Sequence, residues 1–138
     1  MHKSVYNGIF RARVHTGDML EVIAKLKSKG HAGRYRLVYF DPPFNYARKY
    51  DVVDDNIPLF EYRSLLREWL AATVDMLMPG GVLIVNIPDD HAGLVDLNCE
   101  NLKYERLNWC IWHYRFGQHR EGAFIGSRTH VLIYPKLG

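Results

Sequence analysis

Residues 37–44 read Leu-Val-Tyr-Phe-Asp-Pro-Pro-Phe, and this stretch decides the fold class and the position of a site. The unbroken apolar run Leu37–Phe40 is typical of a central parallel strand that is covered on both faces. Such a strand delivers Asp41 to the carboxyl edge of the sheet, where open α/β sheets bind ligands. Pro42 and Pro43 lack N–H donors and have a fixed φ, so they predict a stiff turn whose carbonyls stay free for a ligand.

An acid, free carbonyls and an aromatic ring in this order suit methyl transfer onto an exocyclic amino group. The lone pair of such an amine is delocalised into the base, so acceptors for its two N–H bonds favour the pyramidal nitrogen that attacks a methyl group. Asp41 would supply a carboxylate, and Phe44 would offer a platform to a base taken out of its stack. The alternative interpretation of the tetrapeptide is an ordinary stop at the end of a strand.

Two flanking segments make the tetrapeptide more specific. Upstream lies Thr16-Gly17-Asp18-Met19-Leu20-Glu21, and downstream Leu77-Met78-Pro79-Gly80-Gly81 precedes the strand Val82–Val85. In this combination the chain resembles, over most of its length, the amino-methyltransferases that modify adenine N6 or cytosine N4 in DNA. The resemblance implies a truncated Rossmann-like α/β methyltransferase fold, with a mostly parallel sheet and an antiparallel C-terminal strand pair. It also implies S-adenosylmethionine as the methyl donor and DNA as a partner.

The resemblance also implies roles for individual residues. The catalytic residues would be Asp41, Pro42, Pro43 and Phe44. Asp41 would also lie at the donor, and Asp18 would accept from the purine amine of the donor, although an Asp before a helix is by default its N-cap. Asn45, which extends the motif, is expected to hold the turn by bonding its own backbone.

A segment rich in cations and aromatic rings near the C-terminus indicates nucleic-acid binding. The net charge of +3 is modest, but Lys103, Arg106, Arg115, Arg120 and Arg128 alternate with aromatic residues, opposed by Glu105 and Glu121. This mixture binds phosphates and stacks bases, although a strand pair with aromatic core residues and solvated arginines would look the same. Nucleic-acid contacts are expected from Phe44, Tyr46, Arg115, His119 and Arg120.

A glycine-rich segment that would hold the methionine end of the donor is missing from the sequence, which contains no Phe-x-Gly-x-Gly. The resemblance further implies two strands between the one that ends at Gly17-Asp18 and the one that ends at Asp41, and this chain has no residues for them. The two strands would therefore close up, leave an open edge, or have the gap filled by another chain. A complementing subunit or a homo-oligomer is accordingly a possible partner. The alternative function is a non-catalytic protein that binds nucleic acid or the donor.

Composition fits one partial or minimal catalytic domain over residues 1–138, since 48% hydrophobic residues can bury a core. There is no apolar run long enough for a membrane span and no secretory leader, so a cytoplasmic location in a prokaryotic or viral setting is expected. Cys99 and Cys110 are too few for a disulfide framework and are interpreted as buried thiols. No metal site is expected, because the seven histidines show no paired ligand spacing.

Hydrophobic periodicity predicts an alternation of strands and helices. The predicted strands cover residues 9–15, 37–40 and 82–87, followed by an antiparallel pair at 104–114 and 129–134. The predicted helices cover residues 19–29, 58–78 and, more weakly, 91–98, and Pro79-Gly80-Gly81 is expected to end the second of them. Residues 45–57 are predicted to form a loop over the site.

Overall fold

The structure, a computed structural model, describes residues 2–6, 11–47, 56–115, 121–122 and 126–137. Strands and helices alternate through the middle of the chain, as the periodicity predicts. In chain order the elements are β1 (His2–Tyr6), β2 (Arg11–His15), α1 (Met19–Ser28), β3 (Tyr35–Phe40), α2 (Leu59–Met76), β4 (Leu77–Ile87), α3 (Asp89–Asn101), β5 (Asn108–His113) and β6 (Arg128–Pro135).

The main sheet has four strands in the order β3-β4-β6-β5. Strand β3 pairs with β4 in parallel, whereas β6 lies antiparallel to both β4 and β5. The α/β class and the antiparallel C-terminal pair are therefore confirmed. The sheet is mixed, since one of its three pairings is parallel. Strands β1 and β2 form a separate antiparallel hairpin.

Strand β3 is an edge strand, so the prediction of a central strand covered on both faces is wrong. Leu37 is 55% exposed and Tyr39 is 53% exposed. The physical reason is that β2, which precedes β3 in the chain, pairs with β1 instead of extending the main sheet. The described residues therefore do not close up the two strands, and the outer edge of β3 has no partner strand among them.

The core lies between one face of the main sheet and the helices α2 and α3. Alternate residues of β4 and β6 point into it, and Leu83, Val85, Ile87, Leu132 and Tyr134 are each fully buried. The opposite face, here called the open face, stays partly or largely exposed to water except at Asn86, which is buried. By strand alternation and register the open face comprises Leu37, Tyr39, Val82, Ile84, Asn86, Val131, Ile133, Cys110 and Trp112.

Several element boundaries differ from the predictions. Helix α2 ends at Met76, and Pro79-Gly80-Gly81 lies inside the extended strand β4 instead of ending the helix. Gly81 is required there, because a Cβ would lie 2.9 Å from the Met78 carbonyl oxygen and 3.0 Å from the Tyr35 carbonyl oxygen. Strand β5 begins at Asn108, and the residues just after α3 form a turn in which the Tyr104 N–H donates to the Cys99 carbonyl oxygen. The weakly predicted third helix is longer than expected, at 13 residues.

Candidate active site

Three strands of the main sheet end at one edge. Strands β4 and β5 both run antiparallel to β6, so they are parallel to each other and to β3. The carboxyl ends of β3, β4 and β5 therefore meet at the same edge as the amino end of β6. This arrangement brings together Asp41–Asn45 after β3, Pro88–Asp90 after β4 and Tyr114–Arg115 after β5, so the edge is the candidate site.

Asp41 is exposed at this edge and is held by Asn86. The Asn86 side-chain Nδ2 donates to Asp41 Oδ1 at 3.0 Å, and Asn86 is only 7% exposed. Partial burial and the charge of Asp41 raise the pKa of Tyr39, the phenol two residues earlier. Asn86 was not identified from the sequence. The signal was one polar residue inside the apolar strand Val82–Ile87, near its carboxyl end.

Buried rings on the core side hold the proline corner, Asp41–Phe44. The Tyr62 hydroxyl donates to the Pro43 carbonyl oxygen at 2.8 Å, and Tyr62 is 1% exposed. The prediction that the proline carbonyls stay free is therefore wrong for Pro43, whereas the Pro42 carbonyl has no hydrogen-bond partner within the described ranges. Pro42 itself is buried, and the contact of its carbonyl with a ligand stays a prediction.

His91 supports the same corner from the first turn of α3. Its ring centroid lies 4.6 Å from that of Tyr62, and its ring is hydrogen-bonded to the backbone of Phe44. Burial lowers the pKa of His91, although the bond to Phe44 partly opposes this effect. The imidazole is therefore neutral around pH 7. Neither Tyr62 nor His91 was identified from the sequence, since each lies on a helix distant along the chain.

Asn45 binds a distant part of the backbone, not its own as predicted. Its side-chain Nδ2 donates to the Ile57 carbonyl oxygen, and its Oδ1 accepts from the Ile57 N–H, both at 2.9 Å. The backbone of Asn45 has a positive φ of 56°. This pair of bonds joins the end of the proline corner to the start of α2, while the predicted loop over the site lies largely outside the described residues.

Phe44 and Tyr46 are the aromatic rings next to Asp41. Phe44 is half-buried and packs against the core, whereas Tyr46 is 44% exposed. Their ring centroids lie 6.0 Å apart in an edge-to-face arrangement. The half-buried position of Phe44 leaves Tyr46 as the more accessible ring, and the contact of either ring with a base stays a prediction.

A cleft separates β2 and α1 from the open edge of β3. Its volume is about 550 Å³, within the range of small-molecule sites. The cleft is lined by Arg13, His15, Met19, Ile23, Leu26, His31, Tyr35, Val38, Tyr39, Phe40, Thr73 and Met76. Because Tyr39 and Phe40 line it and Asp41 follows them, the cleft adjoins the proline corner.

Asp18 is the N-cap of α1, because its carboxylate accepts from the Glu21 N–H at 3.1 Å. This geometry fits the capping interpretation. The carboxylate is exposed, and its contact with the donor stays a prediction.

The cation-rich segment is more strongly opposed by acids than the sequence suggested. Arg106 pairs with Asp96, and Arg128 pairs with Asp89, so helix α3 supplies opposing charges in addition to the two nearby glutamates. The hydrogen bonds from Arg128 hold the pKa of Asp89 below its usual range. Arg115 is exposed at the carboxyl edge. His119 and Arg120 lie outside the described residues.

The two thiols have different environments, so the expectation of buried thiols is right for Cys99 and wrong for Cys110. Burial raises the pKa of Cys99 to about 12, whereas Cys110 is exposed on the open face. Within the described ranges, metal-binding side chains do not gather in groups of three. Among the same residues, no helix has the length and apolar character that crossing a membrane requires.

Comparison with known proteins gives matches to DNA methyltransferases both by sequence and by structure. Residues 35–136 match the family model N6_N4_Mtase, described as DNA methylase. The type II methyltransferase M.MjaVI of Methanocaldococcus jannaschii is 37% identical over 111 residues, which cover 72% of this chain and 56% of that protein. The matched relatives at sequence level are longer, and this chain spans between 28% and 56% of their length.

Solved structures show the same fold. The cytosine-N4-specific PvuII DNA methyltransferase superposes with a TM-score of 0.67 at 16% identity, over 88% of this chain and 48% of that one. A DNA modification methylase from Thermus thermophilus, solved with S-adenosyl-L-methionine, gives a TM-score of 0.65 at 22% identity, over 90% and 53% of the two chains. Since the family model covers residues on both sides of the proline corner and all four strands of the main sheet, this chain belongs to the DNA methylase family that modifies N6 and N4 amino groups.

Proposed function

We propose that this chain carries the catalytic part of a DNA amino-methyltransferase that acts on adenine N6 or cytosine N4. The observation that supports this most directly is Asp41, an exposed carboxylate held by a buried amide beside the Pro42 carbonyl. Family membership supports the same reaction. Because the proposed substrate is DNA and the matched relatives belong to bacteria and an archaeon, we place the activity in the cytoplasm of a prokaryotic or viral setting.

The residues of the corner have different roles in the proposed reaction. Asp41 Oδ2 and the Pro42 carbonyl would accept the two N–H bonds of the amine, which draws the lone pair out of the base. With both N–H bonds held, the amine nitrogen would be able to accept a methyl group from a bound donor, whose sulfur would keep the electrons of the broken bond. Asp41 would then pass one amine proton to water. Tyr46 and Phe44 would support the extruded base by stacking.

The methyl donor fits the lining of the cleft. S-adenosylmethionine, when bound, supplies an electrophilic methyl group on a sulfonium. Tyr35, Tyr39 and Phe40 offer aromatic faces that suit an adenine ring or a sulfonium cation. Arg13 and His15 are polar residues of the same lining that could meet the carboxylate of the donor.

The test of this function is methyl incorporation by Asp41→Ala. We expect at least a hundredfold loss in the rate of tritiated-methyl transfer to unmethylated DNA, about the effect of losing one fixed polar group at a reacting centre. The control is Asp90→Ala, which removes another exposed carboxylate at the same edge. An unchanged rate in Asp41→Ala, or an equal loss in both variants, would refute the role of Asp41.

A second candidate function is donor or nucleic-acid binding without transfer. It is favoured by the exposed ring of Tyr46 and the exposed Arg115 at the carboxyl edge, which could hold a ligand without any reaction. Calorimetry with S-adenosylmethionine and with DNA would separate the two functions, because binding of either ligand without methyl incorporation supports the second. The incorporation assay described above then decides between them.

We also propose that the β3 edge and the open face receive a complementing polypeptide that carries the rest of the methyltransferase fold. Among the described residues, no strand pairs with the outer edge of β3. An open strand edge with apolar side chains is a strong template for another strand. The solved methyltransferase chains that superpose on this one are about twice as long, which is the length of chain that could cover these surfaces.

Co-expression tests this partner. The probe is the part of M.MjaVI that this chain does not match, produced as a separate polypeptide, and we expect a one-to-one complex by light scattering. Leu37→Lys should abolish the complex. The matched control Leu97→Lys should keep it, because Leu97 is similarly exposed, at 53%, but lies on α3. A homodimer that Leu37→Lys disrupts would show instead that a second copy covers the edge.

A further inference from the structure

We infer that Asn86 is a positioning residue that fixes the rotation of the Asp41 carboxylate and so reserves Asp41 Oδ2 for the target amine. This inference rests on the proposed methyl transfer and deepens it. Asn86 would not touch the substrate. Asn86 would act only through the Asp41 carboxylate, which does touch the substrate.

The geometry of the sheet fixes the position of Asn86, the donor in its contact with Asp41. Phe40 of β3 is in register with Val85 of β4, so the next residue of each strand, Asp41 and Asn86, lies side by side at the carboxyl edge. Asn86 is inside a buried strand, whereas Asp41 is exposed and could otherwise rotate about two side-chain torsions. The bond of 3.0 Å from Asn86 Nδ2 to Asp41 Oδ1 removes that freedom.

The other half of the Asn86 amide is unsatisfied. Its Oδ1 is buried and has no hydrogen-bond partner among the described residues. Reversing the amide would not help, since it would set two acceptor oxygens, from Asn86 and Asp41, against each other. Ile84 and Val131 are the apolar neighbours of Asn86 on the open face. A hydrocarbon side chain at position 86 would therefore suit the fold better than the amide does.

The inference predicts that stability and activity change in opposite directions. In Asn86→Leu the midpoint of thermal unfolding should rise by about 3 °C, because an unsatisfied buried group is removed. The kcat of methyl transfer should fall about a hundredfold, the scale of a misplaced reacting group, with the KM for DNA unchanged. If Asn86 had only a structural role, Asn86→Leu would lower the midpoint of thermal unfolding. Its activity would then fall only as far as the fraction of folded molecules falls.

The matched control is Asn98→Leu. Asn98 is also 7% exposed and also has a buried amide atom without a partner among the described residues, but it lies on α3. We expect its kcat to stay within about threefold of the wild type. The inference would be overturned if both leucine variants lost kcat equally. It would also be overturned if the kcat of Asn86→Leu stayed within about threefold of the wild type.

Asn86→Asp gives a pH readout that a structural role would not produce. The new carboxyl group can donate to Asp41 only while it is protonated, and it repels Asp41 once it is ionised. The kcat of this variant, relative to the wild type, should therefore rise as the pH falls. A ratio independent of pH would contradict the inference.

A measurement on the folded chain separates this inference from the proposed function. The side-chain amide signals of Asn86 in ¹⁵N NMR should shift in Asp41→Ala and stay in place in Asp90→Ala. If the wild type transfers no methyl group, either alone or with the complementing polypeptide, while these shifts occur, the proposed function fails and the contact stands. If Asp41→Ala leaves the Asn86 signals unchanged, the contact itself is refuted.

Discussion

Tyr62 and His91 show how single residues far apart in the sequence hold the corner that carries Asp41. Tyr62 comes from α2 and His91 from α3, and both are buried beneath Pro43 and Phe44. The place of Asp41 could be predicted because a strand and the acid that follows it are local features. Its supports could not, because a tyrosine at helical spacing and a histidine after a strand are equally typical of ordinary core packing.

Tyr62→Phe should separate support of the corner from support of the fold. Removing the hydroxyl leaves the Pro43 carbonyl without its donor, so we expect a loss of about 1 kcal/mol in the free energy of unfolding and a lower rate of methyl transfer. Tyr134→Phe is the control, since Tyr134 donates a comparable bond, of 2.9 Å, to Asp96. Urea unfolding should give similar losses for both, with the transfer rate per folded molecule reduced only in Tyr62→Phe.

The burial of His91 predicts a loss of stability in mild acid. Burial lowers the pKa of His91 in the folded chain, so below about pH 6.5 the unfolded chain takes up a proton here that the folded chain resists. Stability from this group is complete above about pH 6.5 and falls as the pH drops towards the folded pKa. Asp89 contributes at much lower pH, since its pKa is lowered from 3.8.

Urea unfolding at pH 7.5 and pH 5.5 would measure this loss. His91→Phe should show a smaller difference between the two pH values than the wild type. A wild type equally stable at both values would contradict a neutral, buried His91.

At the scale of the element, α1 and β3 differ in how far the sequence predicts them. Helix α1 follows from local signals, since Asp18 caps it and its apolar residues recur at helical spacing. The apolar run of β3 predicts a strand correctly, but its position in the sheet depends on which strands lie beside it. The separate pairing of β2 with β1 decides that position, and no residue of Leu37–Phe40 encodes it.

Asp18→Ser would separate the cap of α1 from a contact with the donor. Serine caps helices about as well as aspartate, so stability should change little, whereas Asp18→Ala should lose about 1 kcal/mol. If Asp18 also binds the purine amine of S-adenosylmethionine, both variants should bind the donor more weakly. Thermal unfolding and calorimetry measure the two effects, and donor affinity unchanged in Asp18→Ser would leave capping as the role of Asp18.

At the scale of the whole molecule, the net charge of +3 hides an uneven distribution. Arg106 and Arg128 are paired with carboxylates of α3, whereas Arg115 is exposed at the carboxyl edge without an ion pair among the described residues. The sequence could show where cations cluster along the chain. It could not show that Asp89 and Asp96 neutralise two of them, because those acids precede the segment and reach it only through folding.

Arg115→Ala should therefore weaken DNA binding more than Arg106→Ala does. An arginine that contacts a phosphate adds about one unit to the slope of log affinity against log salt concentration, so Arg115→Ala should make that slope shallower by about one. Arg106→Ala, the control, should change it less. Fluorescence anisotropy of labelled DNA across a salt series measures both slopes, and identical slopes in the two variants would exclude Arg115 as a phosphate contact.

The exposed thiol of Cys110 makes the open face chemically addressable. Cys110 lies on that face opposite Val131, whereas burial raises the pKa of Cys99 to about 12 and so keeps the second thiol protonated. An alkylating reagent should thus modify one of the two cysteines quickly and the other slowly. The alkylation rate of Cys110 therefore reports whether the open face is covered. Any polypeptide that binds over the sheet should slow this reaction, so the measurement needs no tag or engineered label.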